Sequence, residues 1–173
     1  KDKPLTIKDE KYYLGSLLQN EDLAEKYSDG SMVVIRLDPT DYHHFHFPID
    51  CVPDSPRLIN GYLYPVNPYT LYKNLGFYLE DKRVITTLHS DVFGDVLFIE
   101  IGATTVGSIN QTFQPGKPYR KGDEKGYFSF GGSSIIMLFE KRKIEFDEDL
   151  LDMTAKDIEV KAKYGQSLGK AIG

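Results

Sequence analysis

Residues 130–139 read Phe-Gly-Gly-Ser-Ser-Ile-Ile-Met-Leu-Phe, and this stretch bears most directly on how the chain folds. Its second half, Ile135–Phe139, is an uninterrupted apolar run of strand length. Gly131 and Gly132 come before it, and glycine allows strained or left-handed backbone conformations at little steric cost. The stretch therefore predicts a glycine turn that leads into an apolar β-strand.

Apolar or aromatic segments of strand length recur on both sides of this stretch, separated by glycine, proline or charged turns. Two segments near the N-terminus, Tyr12–Leu18 and Glu21–Tyr27, carry leucines and an alanine along one side, which predicts helices. Many short strands predict a mostly β (α+β) fold, with a barrel-like or sandwich-like arrangement and a few short helices near the N-terminus. The predicted strands are Ser31–Leu37, Tyr42–Pro48, Gly61–Val66, Val84–His89, Val96–Ile101, Thr104–Ile109, Tyr127–Phe130, Ile135–Phe139, Lys143–Phe146 and Lys156–Ala162.

The composition is that of one domain, residues 1–173, which contains 12 tyrosines, 10 phenylalanines and no tryptophan. The net charge of −5 argues against a nucleic-acid partner, because phosphate binding needs clustered lysines and arginines. Cys51 is the only cysteine, so a buried structural thiol is favoured over a nucleophile and no intrachain disulfide can form. We recognise neither a signal peptide nor an apolar run of membrane-spanning length.

Three of the four histidines lie in one segment, Tyr42-His43-His44-Phe45-His46-Phe47-Pro48. Because alternate residues of a strand share a face, His44 and His46 are expected to point one way and His43 the other, unless a bulge intervenes. Three interpretations stay open: acid–base chemistry, packing among aromatic rings, and metal binding, for which the usual ligand spacings are absent. The fourth histidine, His89, is interpreted as structural.

Ser133 is the candidate reactive group. Its hydroxyl can attack the carbonyl of Gly132, form an ester and eliminate, which would leave an N-terminal pyruvoyl group on the second fragment. The alternative is an ordinary Gly-Ser turn between strands. Ser134 is either a positioning residue or simply the entry to the strand.

Taken together, the histidine and serine segments resemble the phosphatidylserine decarboxylase family. That family carries a His-x-x-His-x-Pro segment after an Asp-Tyr pair, and a Gly-Ser-Thr or Gly-Ser-Ser triplet towards its C-terminal end. The resemblance is carried by five blocks in the family's order, namely residues 41–48, 61–68, 94–103, 121–126 and 128–134. Five ordered blocks are a far more specific signal than a single Gly-Ser-Ser triplet.

The resemblance implies self-cleavage between Gly132 and Ser133. Residues 1–132 would then form the large (β) subunit part and residues 133–173 the small (α) subunit. Ser133 would become a covalent pyruvoyl cofactor that forms a Schiff base with the substrate, with Ser134 beside it and no metal. His46 matches the histidine that acts as the self-cleavage base, and His43 matches the one that serves decarboxylation.

The resemblance also implies partners and a location. A phospholipid substrate, phosphatidylserine, would be converted to phosphatidylethanolamine at a membrane surface by a peripheral, membrane-associated protein that is soluble when its N-terminal part is absent. The two subunits would stay associated, and a homo-oligomer is possible. The family's triad aspartate lies in a Pro-Ala-Asp-Gly-like segment upstream of the region that aligns with Leu5–Leu18. Two alternatives stay open: the aspartate precedes Lys1 in the native protein, or this relative lacks it and does not mature unaided.

Three alternatives remain at this stage. The first is a pyruvoyl decarboxylase of a soluble amino acid, and the second is a relative that binds lipid without reacting. The third is a non-catalytic β-barrel module of the lipoyl type, for which residues 94–109 have a suitable rhythm of turns and strands. Such a carrier normally presents a lysine at a tight turn, and Lys117 is a poor match.

Overall fold

A computed structural model describes residues 14–61, 81–102, 108–129 and 133–172 of the chain. Its helices are α1 (residues 14–18), α2 (Glu21–Tyr27) and α3 (Glu148–Thr154). Its strands are β1 (Ser31–Leu37), β2 (His44–His46), β3 (Val52–Pro53), β4 (Arg57–Ile59), β5 (Arg83–Ser90), β6 (Gly94–Gly102), β7 (Ser108–Gln111), β8 (Glu124–Ser129), β9 (Ser133–Phe139), β10 (Ile144–Phe146) and β11 (Gly169–Ala171).

The largest sheet is antiparallel and has the strand order β1-β9-β6-β5-β3, with β4 also paired to β5. Strand β9 lies inside this sheet, where Ser133 pairs with Leu37 of β1 and with Gly102 of β6. Every residue of β9 is buried. The apolar run at Ile135–Phe139 is therefore explained by cover on both faces of the sheet.

A second, three-stranded sheet has the order β2-β8-β7, and a third pairs β10 with β11. Alternate residues of β9 belong to two different cores. Ile135, Met137 and Phe139 pack with Phe45 and Phe128 of the three-stranded sheet. Ile136 and Leu138 pack on the opposite face with leucines of α1 and with Ala24 and Tyr27 of α2, in a core that contains Leu14, Leu17 and Leu18. The large sheet thus lies between a helical layer and the three-stranded sheet.

The helical layer is fixed by polar contacts to its ends. Asn20 caps α2, where its side chain accepts a hydrogen bond of 3.0 Å from the backbone N–H of Leu23. The buried guanidinium of Arg83 donates to the carbonyls of Leu17 (2.7 Å) and Ser16 (2.9 Å), which lie in the last turn of α1. The Arg83 contacts join the end of α1 to the first residue of β5.

The sequence-based fold class is confirmed in its sandwich-like form, because the sheets of the described residues do not close into a barrel. The helix at Glu21–Tyr27 has the predicted bounds. The strand predicted at Lys156–Ala162 is wrong: residues 158–163 are mostly exposed and have no regular structure, because no neighbouring strand pairs with their alternating pattern. All of the predicted strand Gly61–Val66 except Gly61, and most of Thr104–Ile109, lie outside the described residues.

Candidate active site

The histidine segment places its side chains alternately, as the sequence predicts. Phe45 and Phe47 are buried in the core between the sheets, whereas the side chain of His44 is exposed on the outer face. Strand β2 pairs with β8, and the register shifts between Phe45 and His46, which is the signature of a bulge. The segment therefore has an inner face shared with His43 and an outer face shared by His44 and His46.

Ser133 lies at the first position of β9, fully buried. Its Oγ is 3.2 Å from Nδ1 of His43, while Nε2 of His43 is 2.9 Å from the backbone carbonyl of Asp38. A carbonyl only accepts, so Nε2 carries a proton and donates it there, and Nδ1 is the ring nitrogen that faces the serine hydroxyl. His43 is thus oriented as a base or hydrogen-bond acceptor towards Ser133.

The backbone around this pair explains its position. Asp38 follows β1 in a turn closed by the N–H of Asp41, which donates to the Asp38 carbonyl at 2.9 Å. The carbonyl of His43 in turn accepts a 3.0 Å hydrogen bond from the N–H of Phe128 in β8. On the other side of Ser133, the neighbouring strand carries Gly102, which places no side chain beside the hydroxyl. The site lies where the two sheets meet at the start of β9.

His46 has different partners. Its Nδ1 is 2.9 Å from the carbonyl of Gly122, and its Nε2 is 3.0 Å from the hydroxyl of Tyr42. By the same reasoning Nδ1 carries the proton, and Nε2 accepts from Tyr42. The ring of Tyr164 packs against it with a centroid separation of 4.7 Å. Of the two histidines singled out from the sequence, His43 is the one in hydrogen-bond contact with Ser133.

His44 completes the outer face. Its Nδ1 is 2.9 Å from a carboxylate oxygen of Glu124, and its ring stacks between those of Tyr42 and Tyr127, each 5.2 Å away. The hydrogen bond from His44 lowers the pKa of Glu124 below its usual value. This cluster faces solvent and does not include Ser133.

A buried ion pair between the sheets was missed by the sequence analysis. Lys125 of β8 pairs with Glu100 of β6, and neither side chain is exposed. The ammonium also donates to Thr86 (3.0 Å) and to the side-chain carbonyl of Gln111 (2.8 Å). Lys125 comes from a charged hexapeptide, residues 121–126, that reads as a solvated hairpin turn, so no local signal in the sequence distinguishes it from its exposed neighbours.

Burial governs the electrostatics of this pair. It raises the pKa of Glu100 and lowers that of Lys125, and the attraction between the two groups opposes both changes. Three aromatic rings surround the ammonium, those of Phe113, Phe98 and Phe45, with centroids 4.8, 5.1 and 5.6 Å away. Glu100 pairs with Ile135 in β9, two residues beyond Ser133 on the same face of the sheet.

The other candidate residues are placed as follows. Ser134 is fully buried in β9, and Gly132 lies outside the described residues. Cys51 is buried, and burial raises its pKa to about 11, so the thiol stays protonated near neutral pH and is a structural residue. His89 belongs to a separate surface cluster with Asp54 and Asp95. In the described part of the chain, no three His, Cys, Asp or Glu side chains are arranged to hold a metal ion.

Comparison with known proteins gives a consistent result. The profile of the family described as phosphatidylserine decarboxylase matches residues 1–170. The chain is 50% identical over 165 residues to a protein of Chlamydia muridarum named phosphatidylserine decarboxylase proenzyme, a match that covers 95% of this chain and 55% of the relative. A protein of the same name from Chlamydia felis is 47% identical over 167 residues, covering 96% of this chain and 56% of the relative. The chain therefore spans about half the length of these curated relatives.

Proposed function

The chain belongs to the phosphatidylserine decarboxylase family, and we propose that the protein containing it converts phosphatidylserine to phosphatidylethanolamine after cutting itself between Gly132 and Ser133. The observation that carries the proposal is the contact of Ser133 Oγ with His43 Nδ1 at the buried start of β9. A serine hydroxyl that is buried, hydrogen-bonded to an imidazole and preceded by two glycines is well suited to intramolecular attack.

The cleavage step is an N-to-O acyl shift. Ser133 Oγ loses its proton to a base and attacks the carbonyl carbon of Gly132, so that the C–N bond breaks and an ester forms. Elimination then releases the carboxylate of Gly132 and leaves a dehydroalanine, which takes up water and loses ammonia to give the pyruvoyl end of residues 133–173. The base must lie within hydrogen-bond reach of the hydroxyl.

The residues around Ser133 fit a pyruvoyl group, which needs no more space than serine itself at the first position of a buried strand. Such a group supplies a carbonyl that takes up the substrate amine and accepts the electron pair released with carbon dioxide. His43, in contact with residue 133, would hold or move a proton at that residue. The buried setting excludes water, which favours loss of a carboxylate.

We propose that His46 is the base for self-cleavage and that His43 serves decarboxylation. His46 Nδ1–H donates to Gly122, which leaves Nε2 as the basic nitrogen. In this structure Nε2 contacts Tyr42 on the outer face, so His46 must move towards Ser133 before it can act as the base. His43 already touches that hydroxyl, so separate assays of cleavage and turnover are needed to distinguish the two histidines.

The substrate further implies a membrane surface, and we propose peripheral association there, with residues 1–132 and 133–173 remaining together after the cut. Strand β9 supports the continued association of the two fragments, because it belongs to the second fragment and is hydrogen-bonded on both sides to strands of the first, β1 and β6. The described residues contain no helix of sufficient length and apolar character to cross a membrane.

The decisive experiment uses the full-length protein and its Ser133→Ala variant, with Ser55→Ala in an exposed loop as the matched control. Denaturing mass spectrometry is expected to find a fragment that begins with pyruvoyl at position 133 in the native protein and the control, and one uncut chain in Ser133→Ala. Phosphatidylserine in detergent micelles is expected to be decarboxylated by the first two proteins only. Turnover by Ser133→Ala would refute the cofactor assignment, and turnover of free serine alone would identify a soluble substrate.

The two histidines are compared in the same assays. His46→Gln is expected to leave the chain uncut, whereas His43→Gln is expected to cut and then fail to release carbon dioxide. A loss of one proton-transfer group costs about 100- to 10,000-fold in rate, so both effects are large. Uncut His43→Gln together with normally cut His46→Gln would reverse the two roles.

A further inference from the structure

We propose that Tyr164 is a positioning residue for His46, so that the tail following α3 completes the histidine site. No role is assigned to this tail from the sequence, yet Tyr164 contacts His46 on the outer face of the three-stranded sheet. The inference rests on the proposed function, because positioning matters only if His46 takes part in self-cleavage.

The two side chains share one acceptor. The carbonyl of Gly122 accepts from Nδ1–H of His46 at 2.9 Å and from the hydroxyl of Tyr164 at 3.3 Å. The rings of Tyr164 and His46 are tilted by 56° with centroids 4.7 Å apart. Tyr164 therefore fixes both the ring plane of His46 and the carbonyl that selects its tautomer.

Tyr42 is a second aromatic neighbour of the same ring. It stacks on His46 with an interplanar angle of 17°, and its hydroxyl lies 3.0 Å from Nε2. Tyr42 and Tyr164 also meet edge to face, with centroids 6.2 Å apart. Both tyrosines thus contact the imidazole, whose Nδ1 faces the carbonyl of Gly122 and whose Nε2 faces the hydroxyl of Tyr42. A base needs a ring nitrogen that can accept a proton, and this arrangement assigns that role to Nε2.

The tail is fixed on both sides of Tyr164. Before it, Glu159 forms a two-point ion pair with Arg36 of β1, at 3.0 and 3.2 Å. After it, Gly169–Ala171 forms β11 and pairs with β10. Residues 158–163 have no regular structure, so these two attachments determine where Tyr164 lies.

The position of the cut makes the contact important. His46 and Tyr42 belong to residues 1–132, whereas Tyr164 and Glu159 belong to residues 133–173. The precursor therefore orients the histidine of the first part with a side chain of the second part. A precursor whose tail is not yet in place would lack the contact of Tyr164 with His46, so we expect self-cleavage to follow docking of the tail.

The rate of self-cleavage tests the proposal. Full-length precursor is pulse-labelled in a cell-free translation, and the first-order rate of fragment appearance is measured. Tyr164→Ala is expected to slow cleavage about 3- to 10-fold, the size expected for losing one aromatic packing contact. Tyr164→Phe keeps the ring and is expected to stay within about 2-fold of the native rate. Ile158→Ala, an exposed apolar side chain of the same tail, is the matched control and is expected to match the native rate.

The tautomer of His46 is a second measurement, and it would not change if Tyr164 only stabilised the fold. Nitrogen NMR of the imidazole is recorded in the uncut Ser133→Ala protein, with the signals assigned through His46→Gln. The proton is expected on Nδ1 when residue 164 is tyrosine or phenylalanine, and distributed over both nitrogens in Tyr164→Ala. Tyr164 is 67% exposed, so the alanine variant is expected to fold, which a thermal melt checks.

Native cleavage rate and an unchanged tautomer in Tyr164→Ala would overturn the inference. A slowed rate with an unchanged tautomer would also overturn it, since the tail would then act only on the stability of the fold. Failure of the proposed function gives a different result: the native precursor does not cut at residue 133. The NMR measurement of the His46 tautomer does not need cleavage. If the native precursor does not cut, this measurement alone decides whether Tyr164 orients His46.

Discussion

The two faces of the three-stranded sheet carry ion pairs in opposite environments. On the inner face, Lys125 and Glu100 are fully buried and surrounded by phenylalanine rings. On the outer face, His44 and Glu124 lie 2.9 Å apart with side chains 43% and 41% exposed. From this difference in burial we expect that removing one partner of the inner pair has a large effect on stability, whereas removing one partner of the outer pair has a small one.

The largest expected effect comes from removing one member of the inner pair. Lys125→Met leaves the carboxylate of Glu100 buried without its cation and is expected to lower the free energy of unfolding by about 3–5 kcal/mol. Urea denaturation followed by circular dichroism measures the change. Proteins of this size have only about 5–15 kcal/mol in total, so the variant is expected to be close to its folding limit.

The double variant Lys125→Met/Glu100→Leu sharpens the same point. Replacing both charges by apolar groups removes the desolvation cost together with the attraction, so most of the lost stability is expected to return. If the double variant is as unstable as the single one, the pair itself stabilises the fold and the argument from desolvation is wrong.

The next largest loss of stability is expected from a substitution at Gly126, which lies on the inner face. A Cβ at this position would lie 2.1 Å from the carbonyl oxygen of Asn110 and 2.7 Å from the ring of Phe45. The carbonyl belongs to a paired strand and cannot move freely, so Gly126→Ala is expected to cost about 1–3 kcal/mol in urea denaturation. Gly15→Ala is the matched control, because its nearest neighbour is the flexible carboxylate of Glu21 at 3.0 Å. An equal loss in both variants would contradict this explanation.

The sequence could predict the features of the three-stranded sheet and of β9 that follow a local pattern, but not the buried charge on the inner face. The apolar run at Ile135–Phe139 and the alternation around Phe45 are local patterns, and both predicted strands and the inward-facing aromatics are present. Lys125 could not be recognised as buried, because its partners Glu100 and Thr86 are 25 and 39 residues away. A charged side chain shows no local sign that a distant carboxylate will meet it.

The candidate site divides in the same way. Alternation predicted that His43 and His46 lie on opposite faces, which is the observed arrangement. It could not predict which of them contacts Ser133, because that depends on how the two sheets pack. Tyr164 is not singled out in the sequence analysis, because a single tyrosine between lysine and glycine carries no periodic signal. The contacts of His43 with Ser133 and of Tyr164 with His46 depend on long-range packing, which leaves no periodic pattern in the sequence.

The surface cluster of His89, Asp54 and Asp95 is expected to have a smaller effect on stability, and one that depends on pH. Hydrogen bonds to Asp95 and then Asp54 raise the pKa of His89, although partial burial opposes this. The folded state therefore holds the proton more tightly than the unfolded chain, whose histidine has a pKa of about 6.5. The stabilisation is fully present below about pH 6.5 and is lost as the pH rises through the folded value.

The measurement compares the native protein with His89→Gln by urea denaturation across about pH 5.5–8.5, a range that brackets histidine titration. The native protein is expected to be more stable at the acid end, by less than about 1 kcal/mol because the side chain is 46% exposed. The difference is expected to shrink towards the alkaline end. A difference that grows with pH would mean that His89 is neutral in its cluster.

The outer pair is expected to give the smallest effect. Glu124→Gln removes the carboxylate that accepts from His44, and solvent replaces the lost contact, so the urea midpoint near neutral pH is expected to be unchanged within error. His44 lowers the pKa of Glu124, so whatever the charge contributes is present above the unfolded value of about 4.3 and disappears as the pH falls through the folded value. A clear loss of stability at neutral pH would show that the outer face also depends on its ion pair, and the contrast with Lys125 and Glu100 would fail.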